Sequence, residues 1–323
     1  ARTPRERSEV LRKAWELMTA KLDHFAHLIT LENGKAGTDA KGEATYAAEF
    51  FRWFAEEAVR ADGLITRAPA SGARIVVQHK PVGLAVLVTP WNYPAAMGTR
   101  KIAPALAMGN TCIIKPAPQD PLGILRLGRA ITEAGFPPGV VNVLTSSGSD
   151  VPSTLVASPG VNMVSFTGSS AIGAAIYANG AATMTRVLME LGGKGALVMT
   201  DDADVNAAVQ AIASVWGFHS GQICTAPTRV ICHRSLYDQL VSTLEAVSGM
   251  LKVGDPLDDD TDGDTLNDGD EVNVYGSDPT LTDTDDDGLT DGAEVNTHLT
   301  DPLDADSDDD GLTDGDDDLL VVG

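Results

Sequence analysis

The stretch VNMVSFTGSSAIG, residues 161–173, joins a short apolar run to a glycine-containing turn. The run Val161–Phe166 predicts a buried strand, and the small residues after it predict a turn into a helix. Gly168, Ser169 and Gly173 stand where glycines allow the N-terminus of a helix to face a pyrophosphate. Their spacing differs from the common dinucleotide fingerprint, so the motif is weak evidence when it is taken alone.

Short apolar runs alternate with helical stretches on both sides of this motif. Further strands are predicted at Leu84–Val88, Thr111–Ile114, Val140–Leu144, Ala196–Met199 and Val230–Cys232, and helices at 121–134, 203–215 and 235–247. Strands that alternate with helices indicate parallel strands joined by right-handed crossovers. The sequence therefore predicts an α/β fold with a doubly wound parallel sheet, which binds ligands at the carboxyl ends of its strands.

The segment before these strands is predicted to be mainly helical. Thr3 and Glu6 form a capping box around Pro4, and a second helix is predicted from Gly42 to Arg60. Residues 74–80, RIVVQHK, are predicted to be extended. The chain begins without Met and without the apolar run of a signal peptide, so we expect its start to be missing.

The 323 residues fall into two parts of very different charge. Residues 255–323 hold 26 Asp and Glu and no Lys or Arg, whereas the rest holds 20 acidic residues (46 − 26) and 23 basic ones. A near-neutral globular part is thus followed by a very acidic tail. Neither part has the basic patch that nucleic-acid binding requires, and no apolar stretch reaches the about 18 residues that indicate a membrane span.

The three cysteines are Cys112, Cys224 and Cys232. They are too few and too scattered for a disulfide framework or a zinc site, and a reducing compartment fits the first part of the chain.

Three motifs contain candidate catalytic residues. Cys224, in FHSGQICTAP, is a candidate nucleophile whose backbone N–H would stabilise an oxyanion, although a lone cysteine is more often a small buried hydrophobic residue. Glu190, in MELGGK, follows an apolar run, where a raised pKa would suit a general base; the alternative is a surface ion pair. Asn92, in TPWNYP, is a candidate oxyanion donor or part of an ordinary turn.

Lys115, in IIKPAP, ends another predicted strand. From there its ammonium group would reach a cofactor ribose or phosphate; the alternative is a solvated lysine.

The motifs TPWNYP, IIKPAP, FTGS, MELGGK and GQIC occur in the order and approximate spacing of the aldehyde dehydrogenase superfamily, which residues 1 to about 257 resemble. YAAEFFRWFAEEAVR, residues 46–60, is most similar to the succinate-semialdehyde dehydrogenase branch. The resemblance implies that Cys224 attacks an aldehyde as a thiolate, and that Asn92 and the Cys224 N–H hold the oxyanion. Hydride transfer to a nicotinamide then leaves a thioester, and Glu190 activates the water that releases the acid.

The resemblance also implies the cofactor contacts. Trp91, Lys115 and Ser169 match family positions that contact the cofactor, and Lys101, in TRKIAPALAMGN, matches a lysine near the active site with a partly structural role. Many relatives that prefer NAD carry Glu three residues after the Lys115 position, where this chain has Pro118. Without that carboxylate to repel a 2′-phosphate, NADP becomes acceptable beside NAD.

The same resemblance predicts the domains: an NAD(P)-binding domain over 1–190 with a bridging strand near 74–80, then a partial catalytic domain over 191–254. The family's Phe-Gly-Pro motif and its C-terminal interface strand are not found, so we expect a truncated enzyme with an exposed RIVVQHK edge. The family is homo-oligomeric and cytoplasmic, and its substrates are small aldehydes. Whether this shortened chain is active stays open.

The acidic tail consists of three 23-residue units that fill residues 255–323, with Asp-Pro at the start of each. Each unit holds a 12-residue loop with acids at positions 1, 3, 5, 9 and 12, the pattern of a calcium loop. Gly stands at position 6 in two loops, and Thr265 replaces it in the first. The predicted calcium ligands are Asp260, Asp262, Asp264, Asp268 and Glu271; Asp283, Asp285, Asp287, Asp291 and Glu294; and Asp306, Asp308, Asp310, Asp314 and Asp317.

These units resemble thrombospondin type 3 repeats or related bacterial surface repeats, which implies an extracellular or cell-surface location; the alternative is a disordered acidic tail. The tetrapeptide DPLD occurs both at 255–258 and at 301–304. We therefore hypothesise a chimera joined there, either a real recombination or an assembly artefact. The second functional hypothesis is a calcium-binding surface or adhesion module that carries an inactive dehydrogenase remnant.

Overall fold

The parallel sheet that the alternating pattern predicts is present in the computed structural model of the protein. The structure describes residues 2–251, 253–254, 256–257, 264, 266–267, 270–279, 281–307 and 311–315. The chain forms two units, one of residues 1–35 and 39–251 and the other of residues 36–38 and 252–323.

Up to residue 251, the described chain forms helices and strands along most of its length. The helices are α1 Pro4–Thr19, α2 Leu22–Asn33, α3 Gly37–Glu57, α4 Pro94–Ala107, α5 Leu122–Ala134, α6 Asp150–Ala157, α7 Ser170–Ala181, α8 Val205–Gly217 and α9 Tyr237–Ser248. The strands are β1 Leu64–Arg67, β2 Arg74–Val77, β3 Leu84–Val88, β4 Thr111–Lys115, β5 Val141–Val143, β6 Met163–Gly168, β7 Arg186–Leu191, β8 Ala196–Met199 and β9 Arg229–Cys232.

Five strands form the main sheet in the order β5-β4-β3-β6-β7, and all neighbours are parallel. The chain adds β4 and β5 on one side of β3 and then returns to add β6 and β7 on the other side. The predicted α/β fold with a parallel sheet is therefore confirmed. The reversal lies between β3 and β6, which is where such sheets open a crevice at their carboxyl ends.

Helices cover both faces of this sheet. Ala85 and Leu87 of β3 belong to the core formed with α1 to α5, whereas Val86 belongs to the core that includes Val156 of α6 and Ile176 of α7. Because successive side chains of a strand point to opposite faces, a strand buried on both sides needs a continuous apolar run. The sequence LAVLV of β3 meets that requirement.

Two predictions of the sequence pattern differ from the structure. The runs Ala196–Met199 and Val230–Cys232 do not extend the main sheet, because β8 and β9 pair with each other in a separate two-stranded parallel sheet. A small core that includes Met199, Val209 and Leu240 packs α8 and α9 against this pair. The helix predicted from Gly42 to Arg60 is α3, which begins at Gly37 and ends at Glu57. Periodicity reveals a strand, but it does not reveal which sheet the strand joins.

The predicted extended segment 74–80 forms β2 over its first four residues, and β2 pairs with β1 in an antiparallel hairpin. All residues of both strands are exposed, as expected for an uncovered edge.

The acidic repeats form the second unit, and their described residues repeat in structure as well as in sequence. Helical turns at Glu271–Tyr275 and Glu294–His298 occupy equivalent positions of consecutive units. Asp287 Oδ2 accepts a hydrogen bond from the Gly315 N–H at 2.9 Å, and Asp264 accepts one from the Gly292 N–H in the same way one unit earlier. The same contact thus joins each described repeat to the next.

None of the helices in the part of the chain that the structure describes is long and apolar enough to cross a membrane.

Candidate active site

A cleft of about 810 Å³ opens at the carboxyl ends of β3, β6 and β7. The turn after β3, the turn between β6 and α7, the end of β7 and the loop before β9 all contribute to its walls. The predicted site residues that line it are Trp91, Asn92, Gly168, Ser169, Glu190 and Cys224. Motifs that are far apart in the sequence therefore meet in one cavity.

Cys224 is exposed in the loop that follows the turn Phe218–Gly221. Gly221 has φ of 71°, a backbone conformation that glycine adopts without strain. The alternative interpretation of Cys224 as a small buried residue is wrong. Cys112 has that character instead, since it is 0% exposed and burial raises the pKa of its thiol to about 12.

Asn92 lies in the turn between β3 and α4, and its side chain is directed at the nucleophile loop. Its Nδ2 donates a hydrogen bond to the carbonyl oxygen of Gln222 at 2.7 Å. The next residue, Tyr93, is also close to Cys224: burial raises the pKa of Tyr93 to about 12, and the negative charges of Glu43 and Cys224 add to that rise. A side-chain amide donor thus lies in the same cleft as the candidate thiol.

Glu190 is near the end of β7, opposite Thr167 in the register with β6. The structure differs from the sequence prediction here, since the side chain of Glu190 is exposed and not enclosed by apolar groups. The reason is that β7 is an edge strand of the main sheet and leaves Leu188 and Leu191 exposed as well. Among the residues that the structure describes, Glu190 forms no ion pair, so the alternative of a surface pair is not observed.

Lys101 and Lys115 are both buried beside the sheet. Lys101 Nζ donates to Ser165 Oγ at 2.9 Å, and it lines a second cavity of about 250 Å³ that Glu190 also lines. Burial lowers the pKa of Lys101 to about 8, the charge of Glu190 opposes this shift, and Arg100 adds to it. Neither lysine is among the residues that line the larger cleft.

Lys115 ends β4, and burial lowers the pKa of its ammonium group. Within the described ranges, no carboxylate pairs with it. The alternative of a solvated lysine is therefore wrong, and the buried cation stands at the carboxyl edge of the sheet without a counter-charge.

Ser169 and Gly173 have different roles in the turn after β6. Ser169 is the N-cap of α7, and its Oγ accepts a hydrogen bond from the Ile172 N–H at 3.4 Å. Gly173 is buried away from the cleft, and a Cβ at this position would come within 2.6 Å of Leu191 Cδ2. We infer that Gly173 permits close packing of α7 on β7, while Gly168 and Ser169 face the cavity.

Several residues near the cleft are absent from the sequence prediction. Lys35 and Glu43 form a fully buried ion pair, and Lys35 Nζ lies 4.1 Å from the centroid of the Tyr93 ring. Burial raises the pKa of Glu43, and the ammonium group of Lys35 opposes that rise. No sequence motif indicates this pair, because Lys35 and Glu43 lie in different segments. Their side chains bind backbone atoms of the turn and of the first residues of α4.

Arg100 is a further residue that the sequence prediction misses. It is exposed, it lines the cleft from α4, and it has no ion-pair partner in the described part of the chain. A cationic residue next to the motif lysine Lys101 is a weak sequence signal. Its position in the wall of the cleft is what identifies Arg100 as a candidate site residue.

The acidic unit contains two carboxylate groups with the spacing of a cation site. One consists of Asp283, Asp285 and Asp287, and the other of Asp287, Glu294 and Asp314; in each, one oxygen of every residue lies within 4.8 Å of the others. The second group combines predicted ligands of two loops, because Asp287 and Glu294 belong to the second loop and Asp314 belongs to the third. Consecutive repeats pack together, which brings the carboxylate of Asp314 close to the ligands of the second loop.

Other predicted calcium ligands have different partners. The carboxylate of Asp291 accepts hydrogen bonds from Thr284 N at 2.7 Å and Thr284 Oγ1 at 2.6 Å. Asp306 accepts from the Gly311 N–H at 2.9 Å, Asp264 accepts from the Leu266 N–H at 2.8 Å, and Glu271 is fully buried. Asp260, Asp262, Asp268, Asp308, Asp310 and Asp317 lie outside the described residues.

A parallel sheet with a cleft at its topological reversal, and a helix N-terminus facing that cleft, is the arrangement in which α/β proteins bind ligands. The chain belongs to the aldehyde dehydrogenase family, because the family's sequence model matches residues 1–286. The match continues past residue 257, where the resemblance was expected to end, and includes the first acidic repeat.

Similar proteins agree with this assignment. Succinate-semialdehyde dehydrogenase of Paenarthrobacter nicotinovorans is 40% identical over 278 residues, which are 85% of this chain and 62% of that protein. Glutarate-semialdehyde dehydrogenase of Pseudomonas putida is 41% identical over 273 residues, 84% of this chain and 57% of that protein. The crystal structure of an Escherichia coli NADP-dependent enzyme is similar with a TM-score of 0.78 and 40% identity, over 80% of this chain and 54% of that one. The chain thus spans little more than half the length of these relatives.

Proposed function

We propose that this chain carries the catalytic centre of an NAD(P)-dependent aldehyde dehydrogenase that converts a small aldehyde to a carboxylic acid. The observation that supports this most directly is the meeting of Cys224, Asn92 and Glu190 in one cleft. A thiol, an amide donor and a carboxylate are the groups that covalent aldehyde oxidation requires.

In this mechanism the Cys224 thiolate forms a bond to the aldehyde carbon, and the carbonyl oxygen becomes an oxyanion. Asn92 Nδ2, which donates to the Gln222 carbonyl, would donate to that oxyanion. A nicotinamide held in the cleft would supply the hydride acceptor, and Cys224 would then hold the acyl group as a thioester. Glu190 then takes a proton from a water molecule, the hydroxide attacks the thioester, and Cys224 leaves as a thiolate.

The residues at the sheet edge fit the cofactor. Lys115 is a buried cation without a described counter-charge, and a phosphate or ribose hydroxyl would be a suitable partner. The N-terminus of α7, with Ser169 as its N-cap, would hold the pyrophosphate. Pro118 adds no carboxylate, which leaves the 2′-phosphate of NADP acceptable, so the proposal includes both NAD and NADP.

The substrate class that we propose is an aldehyde with a second, negatively charged end, such as succinate semialdehyde. Arg100 supports this, since it lines the same cleft as Cys224 and has no ion pair in the described ranges. The relatives named for succinate and glutarate semialdehydes act on aldehydes of this class. A guanidinium group binds a carboxylate in a bidentate manner.

The test is the formation of reduced nicotinamide by the full chain from succinate semialdehyde, with NAD and NADP in turn. We expect turnover that Cys224→Ala abolishes and that the matched control Cys232→Ala preserves. Arg100→Met should raise the KM for succinate semialdehyde while the KM for butanal stays unchanged. No reduced nicotinamide from the wild-type chain with either cofactor would reject the proposal.

We propose calcium binding as a second function, located in the acidic unit. Glu294 supports it specifically: the residue is 0% exposed, and its Oε2 has no hydrogen-bond partner among the residues that the structure describes, although it belongs to the group with Asp287 and Asp314. A buried carboxylate oxygen without a partner is costly, and a divalent cation with oxygen ligands would compensate that cost.

Calcium titration of the full chain, followed by calorimetry and circular dichroism, tests this second proposal. Glu294→Gln should weaken binding at least about tenfold, since it removes one charged ligand from the site. Asp304→Asn changes an exposed carboxylate of the same unit outside both groups, and it should leave the affinity unchanged. Equal affinities of the two variants would contradict a site at Glu294.

A further inference from the structure

The turn that carries Trp91 and Asn92 is held by side chains from the last residue of α2 and from the segment that follows it. Asn33 Nδ2 donates to the Trp91 carbonyl at 2.6 Å, and Lys35 Nζ donates to the Asn92 carbonyl at 3.1 Å. The Asn92 backbone is thus fixed from one side, while its own side chain donates to Gln222 on the other.

Glu43 completes this arrangement at the start of α4. Its Oε1 accepts hydrogen bonds from the N–H groups of Ala95 and Ala96, at 3.0 and 3.1 Å. The N-cap residue of this helix, Tyr93, provides no side-chain cap, so Glu43 supplies the acceptor that the first turn of the helix needs. The carboxylate of Glu43 also pairs with Lys35, and both side chains are 0% exposed.

A buried ion pair of this kind is weak evidence for a role in stability. The cost of removing two charges from water offsets most of their attraction, and apolar residues of similar volume often stabilise a protein as well. Such a pair does fix the orientation of the turn, because each of its charged groups binds backbone atoms on one side of that turn. The atoms that it holds are those that set where the Asn92 side chain points.

We propose that Lys35 and Glu43 are positioning residues, which fix the Asn92 amide opposite the Cys224 loop through the Asn92 carbonyl and the first turn of α4. This inference rests on the proposed function, in which Asn92 donates to the oxyanion. Glu43 is among the residues that line the cleft, but its carboxylate is occupied by Lys35 and the Ala95 and Ala96 amides. In this scheme Lys35 and Glu43 therefore act through the placement of Asn92.

The test uses the paired variant Lys35→Met/Glu43→Gln. It leaves no unpaired charge in the core, and the Gln carbonyl can still accept from the α4 amides, but the donor to the Asn92 carbonyl is lost. The reaction is the hydrolysis of p-nitrophenyl acetate by Cys224, which needs an oxyanion donor but no nicotinamide. Leu127→Ala, in the α5 core, serves as a control that destabilises the chain without removing a polar contact to the turn.

We expect the paired variant to lower kcat for the ester by about 10-fold to 100-fold, which approaches the effect of losing an oxyanion donor, with KM within about twofold. Combined with Asn92→Ala, it should add no further loss, because both changes remove the same interaction. The Leu127→Ala control should keep kcat at temperatures where it is folded. An unchanged kcat, or a loss that adds fully to that of Asn92→Ala, overturns the inference.

A second measurement separates this inference from the proposed function. The side-chain amide signal of Asn92 in NMR spectra, assigned by its absence in Asn92→Ala, should shift in the paired variant and stay in place in Leu127→Ala. If the wild-type chain hydrolyses no ester and oxidises no aldehyde, the proposed function fails, while a shifted signal still supports the positioning role. An unshifted signal overturns it whatever the activity.

Discussion

Asn92 and Gln222 are joined by a hydrogen bond of 2.7 Å from the Asn92 side-chain amide to the Gln222 carbonyl, across 130 residues of sequence. Gln222 is two residues before Cys224, so this bond connects the turn after β3 with the loop of the candidate nucleophile. The amide is therefore directed at the loop that carries the thiol, and both residues line one cleft.

The first prediction concerns this amide. Asn92→Ala should lower kcat for ester hydrolysis by about 100-fold to 1000-fold, because it removes a donor to the oxyanion. Alkylation of Cys224 by iodoacetamide develops no oxyanion, and its rate should stay within about threefold. Asn142→Ala removes an amide of the same type that donates to the Cys112 and Gly139 carbonyls instead, and it should change neither rate. Equal losses in both reactions would point to a misfolded loop.

The second prediction concerns the packing of α7 on β7. Gly173→Ala places a Cβ within 2.6 Å of Leu191 Cδ2, so α7 or the Leu191 side chain must move. We expect a loss of stability of about 1–3 kcal/mol in thermal unfolding, together with weaker cofactor binding because the helix N-terminus shifts. Gly148→Ala is the matched control, since a Cβ there meets no atom within 4 Å. If Gly173→Ala unfolds at the wild-type temperature, the Leu191 side chain can move away at little cost and the prediction is wrong.

The third prediction is a pH dependence that comes from Asp120. This residue is 1% exposed, and burial raises its pKa from 3.8 to about 7, with Glu32 adding to the rise and Asn33 opposing it. Between pH 4 and pH 7 the unfolded chain therefore binds fewer protons than the folded chain at this site. Its contribution to stability is fully present below about pH 4 and is lost as the pH rises through 7.

Asp120→Asn should remove that loss. The free energy of unfolding of the variant should equal that of the wild type near pH 4 and exceed it by an amount on the order of 3 kcal/mol at pH 8. Urea titrations at the two pH values measure the difference. Asp201→Asn changes an exposed carboxylate and should show no such dependence on pH. A constant difference between Asp120→Asn and wild type at both pH values would refute the assignment.

The sequence predicts those parts of the fold that depend on local pattern. The apolar runs of β3 and β6 are buried on both faces, and a continuous run is the direct signature of such a strand. The candidate residues Asn92 and Cys224 were found through short motifs with small residues, and the cleft contains both. Lys35 and Glu43 are not predicted from the sequence, because their main contacts are to backbone atoms. Contacts of that kind do not require a recognisable pattern of residue types.

Other features depend on long-range packing that no local pattern records. The separation of β8 and β9 from the main sheet follows from how α8 and α9 pack on them. The exposure of Glu190 follows from the edge position of β7, and the grouping of Asp314 with Asp287 and Glu294 follows from the contact between repeats. In each case the local sequence marks the strand or residue, but its surroundings are set by elements remote along the chain.

The last prediction concerns the hairpin of β1 and β2, where Ile65 lies directly opposite Val76 in the register. The two residues are 75% and 58% exposed, so they form an apolar cross-strand pair on an uncovered hairpin. Because exposed apolar pairs of this kind favour association, Ile65→Lys/Val76→Glu should reduce self-association in sedimentation velocity while the paired charges preserve the hairpin. Leu31→Lys, at a residue of α2 that is 56% exposed, is the control and should leave the distribution of species unchanged. If the hairpin variant sediments as the wild type does, this surface makes no contribution to assembly.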